Sequence, residues 1–101
     1  MVGFIREHVL KRLRSGKWRK VRKNFIKANP NCAICGKRKF VHVHHKIPVH
    51  IDKDKELDFS NLVTLCPRHH FIIGHLENWR KYNPNIDQDI QWWRKRLKEV
   101  K

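Results

Sequence analysis

Residues 32–36 read CAICG and residues 66–70 read CPRHH, and these two stretches decide the fold of the chain. Each offers two metal-ligand side chains with two residues between them, namely Cys32 with Cys35 and Cys66 with His69. Two such turns can close a tetrahedron of sulfur and nitrogen donors around zinc, with bond lengths of about 2.0 to 2.3 Å. Because all four ligands come from protein, we expect a structural zinc that stabilises a small core. The alternative is three buried thiols beside an incidental histidine.

The composition predicts one domain with a polyanionic partner. The 101 residues suffice for a single modest core. They carry 24 Lys plus Arg against 9 Asp plus Glu, a net charge of +15. Residues 1–30 contain ten basic residues and one acid, Glu7, which we interpret as a patch that follows a phosphate backbone. A well-solvated surface without a partner is the alternative.

Cysteine count and hydropathy bear on the compartment. Three cysteines are an odd number for a disulfide framework, and close spacing in a reducing compartment favours metal binding. No apolar run approaches the roughly 18 to 20 residues that span a bilayer, and charges interrupt residues 1–13 where a secretory signal would be apolar. We therefore expect a soluble, cytoplasmic protein that makes no membrane contact.

Hydrophobic periodicity predicts helices on both sides of a central strand region. In KWRKVRKNFIKANP, residues 17–30, apolar residues recur at helical spacing, and the pattern ends at Asn29-Pro30. The other face of this helix is basic and is predicted to bind nucleic acid through Arg19, Lys20, Arg22 and Lys23. Residues 39–50, KFVHVHHKIPVH, alternate β-branched residues with histidines and predict a strand that leads into a loop at Pro48.

The second half of the chain predicts a loop, an apolar stretch and two helices. Residues 51–60 are polar and predict the loop, and residues 61–82 contain the apolar stretch, the Cys66 turn and a helix that begins near Pro67. The C-terminal segment predicts a final helix with Asp87 as its cap and one apolar stripe formed by Ile90, Trp93, Leu97 and Val100. Only one of the adjacent pair Trp92-Trp93 can face that stripe, and the other is a candidate for stacking on nucleic acid.

At this point the sequence resembles the HNH endonucleases. The matching stretches are VHVHHKIPV, FSNLVTLC and CPRHH, and the resemblance extends over about residues 17–75. It implies an α+β fold in which a ββα-metal core, stapled by the zinc, has flanking helices. We expect one domain, residues 1–101, with a basic helical part at 1–30, the core at 31–80 and the last helix at 85–101.

The resemblance also implies the roles of single residues. His44 and His70 would bind the catalytic divalent cation, with Mg²⁺ or Mn²⁺ favoured and other transition metals as alternatives. His45 would be the general base, and Asn61 would brace the loop of the catalytic site. Arg68 is predicted either to contact a phosphate or to be a solvated arginine.

The chemistry of phosphodiester hydrolysis agrees with this division of roles. A neutral imidazole, with an ordinary pKa of about 6.5, can deprotonate the attacking water at cellular pH. A divalent cation offsets the negative charge that builds on the phosphate and the leaving oxygen. Adjacent residues on a strand point to opposite sides, so His44 can hold the metal while His45 faces the water.

Four histidines have no role at this stage. His42 shares a strand face with His44 and could donate to a ligand, but a surface histidine is the favoured interpretation. His50 and His8 match no family role. His75 follows His70 by five residues, a rotation of about 500° along an α-helix, so we do not expect it to bind the metal.

Two functions compete. The favoured one is a DNA endonuclease acting on duplex DNA with little sequence preference, in a phage packaging system or another nuclease system. The alternative is a zinc-stapled DNA- or RNA-binding module without chemistry, such as a ribosomal or adaptor protein. A binding module needs the basic surface and the zinc ligands but has no use for His44, His45 and His70.

Overall fold

The computed structural model describes residues 16–99, so the predictions for His8, for the first half of the basic N-terminal part and for Val100 lie outside the described residues. In chain order the elements are α1 (Trp18–Ala28), β1 (His42–His45), two 3-10 turns (Lys53–Lys55 and Phe59–Asn61), β2 (Leu62–Leu65), α2 (Pro67–His69), a π-helical turn (His70–Gly74) and α3 (Ile86–Glu99). The two strands form an antiparallel sheet. This confirms the α+β class.

Helix α1 forms where the periodicity predicts it. Its apolar side turns inward at Phe25, which is buried and packs edge-on against Phe59 with ring centroids 5.2 Å apart. The N–H of Asn29 donates to the carbonyl of Phe25 at 2.8 Å, and the helix cannot continue past Pro30. The four basic residues proposed for nucleic-acid binding on this helix are exposed: Arg19, Lys20, Arg22 and Lys23.

The hairpin places one histidine of β1 in the interior. All of β2 is buried, whereas β1 is buried only at His44, which lies opposite Val63. His42 pairs with Leu65 and His45 with Leu62. Because side chains alternate along a strand, His42 and His44 share one face and His45 lies on the other.

One core joins the hairpin, the last helix and the two turns that contain the predicted zinc ligands, residues 32–36 and 66–69, which we call the zinc turns. Its buried members are Cys32, Ile34, Val63, Leu65, Cys66, Ile73, Ile86 and Ile90. The Cys32 turn is fixed to the sheet because the N–H of Ala33 donates to the carbonyl of Thr64 at 2.8 Å. The Thr64 hydroxyl in turn donates to the carbonyl of Asn29 at 2.6 Å, which fixes the end of α1.

Two details of α3 differ from the sequence prediction. The helix begins at Ile86, a core residue, so Asp87 lies inside the first turn and the predicted cap is wrong. The Asp87 carboxylate instead pairs with Lys46 at 2.9 Å. Trp93 does not continue the buried stripe: it is 37% exposed, whereas Ile90 is buried and Leu97 is half-buried against the core. Within residues 16–99, no helix has the length and hydropathy to cross a bilayer.

Candidate functional site

The four residues predicted to bind zinc lie together. Their ligand atoms, from Cys32, Cys35, Cys66 and His69, are all within 4.8 Å of one another. The Sγ of Cys35 and Cys66 are 3.9 Å apart, and His69 Nδ1 lies 3.3 Å from Cys66 Sγ and 3.7 Å from Cys32 Sγ. A zinc tetrahedron with the usual bond lengths has edges of about 3.4 to 3.8 Å. The cluster is therefore consistent with a zinc site.

Local backbone geometry shapes both zinc turns. Gly36 has φ +78° and donates its N–H to the carbonyl of Cys32 at 2.9 Å, which closes the first turn. In the second turn Cys66 caps α2, and its Sγ accepts from the N–H of His69 at 3.4 Å. Burial opposes ionisation of Cys32, but backbone N–H donors including that of Cys35 outweigh it and lower the pKa of the Cys32 thiol. A lowered pKa favours the thiolate that zinc binds.

A second cluster is formed by three histidines, His44, His70 and His75. One ring nitrogen from each lies within 4.8 Å of the other two, and the Nε2 atoms of His70 and His75 are 3.1 Å apart. The ring centroids form a nearly equilateral triangle with sides of 5.0, 4.9 and 4.8 Å. Three imidazole nitrogens facing a common centre are a metal-ligand arrangement.

His75 reaches this cluster because the chain leaves α-helical geometry. The expectation that five residues would rotate it away from His70 is wrong, since His70–Gly74 form a π-helical turn. The N–H of His75 donates to the carbonyl of His70 at 3.1 Å, the bond that stacks residues five apart on one face. Sequence reasoning missed this residue because no local sequence signal predicts a π turn.

Two features keep the π turn in place. Asn83 is buried, donates its side-chain amide to the carbonyl of Ile73 at 3.0 Å and donates its backbone N–H to that of Gly74 at 3.1 Å. A Cβ at Gly74 would lie 3.2 Å from Cδ2 of His70 and 3.3 Å from the ring of His44. A side chain at position 74 would therefore require these imidazoles to shift by a few tenths of an ångström.

Two histidines of the cluster, His44 and His70, are neutral over the physiological range of pH. Burial, and then the neighbouring His70 and His75, lower the pKa of His44 to about 3. Burial, and then His75 and His42, lower the pKa of His70 to about 4. A neutral imidazole has the lone pair that a metal needs. Among the described residues, Nε2 of His44 is a buried nitrogen atom without a hydrogen-bond partner.

Hydrogen bonds orient the other two rings of the cluster. His75 Nδ1 donates to the carbonyl of Lys81 at 2.7 Å, which leaves the lone pair on Nε2, facing His70. Nδ1 of His42 lies 2.8 Å from Nδ1 of His70. His42 is half-buried and bonded to the cluster, so the favoured interpretation as a surface histidine is wrong. Its place in the strand, two residues before His44, was the signal.

His45 lies on the other face of β1, and Asn61 ends the 3-10 turn that precedes β2. The ring of His45 lies 4.4 Å from that of Trp18, and its Nε2 donates to the carbonyl of Glu56 at 3.0 Å. The Asn61 side chain accepts from the N–H of Ile47 at 2.9 Å and donates to the carbonyls of Ile47 and Lys55, both at 3.1 Å. Asn61 thus joins both ends of the loop that follows β1.

Residues from both faces of β1 line one cleft of about 360 Å³. His44, His45, His70 and His75 line it, together with His50 and the segment from Trp79 to Tyr82. Arg68 does not line the cleft; it is exposed on α2 beside His69 of the Cys3His cluster.

The fold and the two clusters define a class: a small α+β domain whose hairpin and following helical turn carry a Cys3His cluster and a three-histidine cluster. Residues 32–76 match the family model described as HNH endonuclease, and this part of the chain is therefore an HNH endonuclease domain. Family membership implies a nucleic-acid substrate. Comparisons with curated proteins and with solved structures gave no match.

Proposed function

We propose that this protein is a metal-dependent endonuclease that hydrolyses phosphodiester bonds of DNA. The observation that carries the proposal is the cluster of His44, His70 and His75, in which one ring nitrogen of each lies within 4.8 Å of the others and Nε2 of buried His44 has no hydrogen-bond partner among the described residues. Leaving a buried polar atom unsatisfied costs about 1 to 3 kcal/mol, and a metal ligated by that nitrogen removes the cost. A binding module without chemistry would have no need of this arrangement.

The three imidazoles would hold one divalent cation. When bound, the ion would offset the negative charge on the phosphate and on the departing oxygen. Imidazole nitrogen suits later transition metals such as nickel, whereas oxygen ligands suit Mg²⁺ and Mn²⁺. The addition of His75 to His44 and His70 therefore shifts our expectation away from Mg²⁺ and toward Ni²⁺ or Co²⁺, with Mn²⁺ as the more weakly bound alternative.

His45 is suited to be the general base. Its Nε2–H donates to the carbonyl of Glu56, so the lone pair of the neutral ring is on Nδ1. Asn61 holds the carbonyl of Lys55, the neighbour of Glu56, and so fixes the loop that orients His45. Asn61 acts in this proposal as a positioning residue. His45 lines the same cleft as the cluster, where it would take the proton of the attacking water.

Helix α1 would hold the DNA beside this cleft. Trp18, its first residue, packs on His45, so the basic face of the helix begins next to the proposed base. Contacts from Lys and Arg to phosphates carry no sequence information, which favours binding with little sequence preference. Arg68 stays a proposed phosphate contact. Placement in a phage packaging or other nuclease system stays a prediction that rests on the family resemblance.

The test is cleavage of supercoiled plasmid by wild type and by His45→Ala, with Mn²⁺, Ni²⁺, Mg²⁺ or EDTA added. Loss of a general base should lower the rate by about 10² to 10⁴ while DNA affinity, measured by anisotropy, stays unchanged. The matched control is His50→Ala, which removes an exposed histidine of the same cleft. Wild type that binds DNA but cuts it with none of these ions would instead indicate the binding module. Nicked and linear products separate single-strand from double-strand cleavage.

A further inference from the structure

Trp79 lies against the histidine cluster with most of its side chain in solvent. Its ring centroid is 4.9 Å from that of His75 and 5.2 Å from that of His70, yet the residue is 57% exposed. A tryptophan is among the largest apolar side chains, and exposing it forgoes burial that a small core would gain from. An exposed ring at the edge of a reactive cleft is suited to a ligand with a flat face.

The chain holds this ring in a defined position. Residues 75–81 form a compact turn in which the N–H of Asn78 donates to the carbonyl of His75 at 3.0 Å. The Asn78 side chain accepts from the N–H of Arg80, also at 3.0 Å. Phe71, in the π-helical turn, packs against the indole of Trp79, with ring centroids 4.9 Å apart. A ring fixed before binding loses little entropy when a ligand stacks on it.

The cleft beside Trp79 has the size and charge for one nucleotide. Its volume of about 360 Å³ lies at the lower end of the range of about 300 to 1,000 Å³ for pockets that enclose small molecules. Trp79 and Tyr82 supply aromatic surface, and Arg80 and Lys81 supply positive charge, all within the residues that line the cleft. This pairing of aromatic surface with cations is typical of sites that bind unpaired nucleotides.

We infer that Trp79 stacks on a DNA base that lies outside the double helix, next to the phosphate at the histidine cluster. In an intact duplex both faces of each base are covered by neighbouring bases, so none can stack on an indole without leaving the helix. The preferred substrate is therefore DNA with an unpaired nucleotide at the cleavage position, such as a bulge, a flap or a single strand. The inference rests on the proposed function for the scissile phosphate, and the basic face of α1 would hold flanking duplex.

A binding experiment without divalent metal tests the stacking itself. The probe is a duplex with one bulged 2-aminopurine, compared with the same duplex in which that base is paired. Wild type should quench the bulged probe more strongly than the paired one. Trp79→Ala should abolish the difference and weaken binding of the bulged duplex by about 5- to 100-fold, the range that stacking aromatics span. Trp79→Phe should preserve most of it, because its ring still stacks.

The matched control is Phe40→Ala, which removes an aromatic residue that is 82% exposed and does not line the cleft. Trp79→Leu keeps apolar bulk against the histidines and serves if the alanine variant does not fold. Equal quenching of both probes, or equal affinity of wild type and a folded Trp79→Ala or Trp79→Leu variant for the bulged duplex, would overturn the inference even if DNA is cut. Quenching that depends on Trp79, in a protein that cuts no DNA with Mn²⁺ or Ni²⁺, would support the stacking site and reject the proposed nuclease activity.

Discussion

The Nδ1 atoms of His42 and His70 lie 2.8 Å apart, and the opposite nitrogen of His70, Nε2, lies 3.1 Å from Nε2 of His75. If His70 donates through Nδ1, its lone pair is on Nε2, the atom that a metal would bind. In that tautomer Nδ1 of His42 accepts the hydrogen bond, so His42 would favour the form of His70 that can bind a metal. The bond crosses from β1 to the π turn and joins the two elements that supply the ligands.

Replacing His42 should weaken the catalytic metal site without removing a ligand. We expect His42→Ala to lower affinity for Mn²⁺ by about 10- to 100-fold, as for other partners of metal ligands, and His42→Gln to recover part of the loss through its amide oxygen. Calorimetric titration of protein that retains zinc measures this. His50→Ala, in the same cleft, is the control. Equal affinity of wild type and His42→Ala would show that the bond does not orient His70.

Zinc should be bound once per chain and should be needed for folding. Cys66 is buried, caps α2 and belongs to the core, so Cys66→Ser should abolish cooperative unfolding rather than activity alone. Elemental analysis and thermal unfolding followed by circular dichroism are the measurements. His75→Ala should keep its zinc, because His75 belongs to the other cluster. A folded, purified protein without zinc would contradict the assignment.

His75 should contribute to the second metal site as strongly as His70. Either His75→Ala or His70→Ala removes one of three imidazoles, so both should lose most Mn²⁺ affinity and cleavage while the zinc content stays at one per chain. Titration and elemental analysis of the two variants decide this. If the segment were α-helical in solution, His75→Ala would behave as His50→Ala does.

Gly74→Ala should disturb the same cluster through packing. The added methyl would lie 3.2 Å from His70 and 3.3 Å from His44, so one ring must move. We expect a loss of about 1 to 3 kcal/mol in the free energy of unfolding, as for other overpacked sites, together with weaker metal binding. Gly16→Ala is the matched control, because nothing lies within 4 Å of its added Cβ. Chemical denaturation should separate the two variants, and similar curves would show that the rings have room to adjust.

Acid should destabilise the protein through His44 when the second metal is absent. The pKa of His44 is about 3 in the folded chain, below the value of 6.5 for an unperturbed histidine. The unfolded chain therefore gains a proton first as pH falls, so this contribution to stability is complete above pH 6.5 and is lost between pH 6.5 and 3.

At pH 5 the loss from His44 should be about 2 kcal/mol. The comparison is the change in unfolding free energy between pH 7 and pH 5 for wild type and for His44→Phe, which fills the space with a ring that does not titrate. Contributions from the zinc thiolates cancel in this difference. Identical pH dependence of the two proteins would place the pKa of His44 near its ordinary value.

The α+β class, the helices on both sides of the hairpin and the four residues of the Cys3His cluster were predictable from local patterns in the sequence. These features depend on local patterns, namely apolar periodicity over a few turns and ligands separated by two residues in each turn. These patterns are visible in the sequence because they depend on the regular backbone geometry of residues that are close along the chain. His44 and His70 were likewise identified from a local motif, and the structure brings them together.

Other parts of the site depend on contacts between elements that are distant in the sequence, and these could not be predicted from local patterns. His75 joins the cluster because buried Asn83, from the segment before α3, holds the carbonyls of a π turn that no local propensity favours. His42 gains its partner only when the hairpin lies beside that turn. Asp87 lost its predicted role for the same reason, since burial of Ile86 in the core moved the start of α3. In each case the free energy gained by packing the domain is larger than the local conformational preferences on which a prediction from sequence depends.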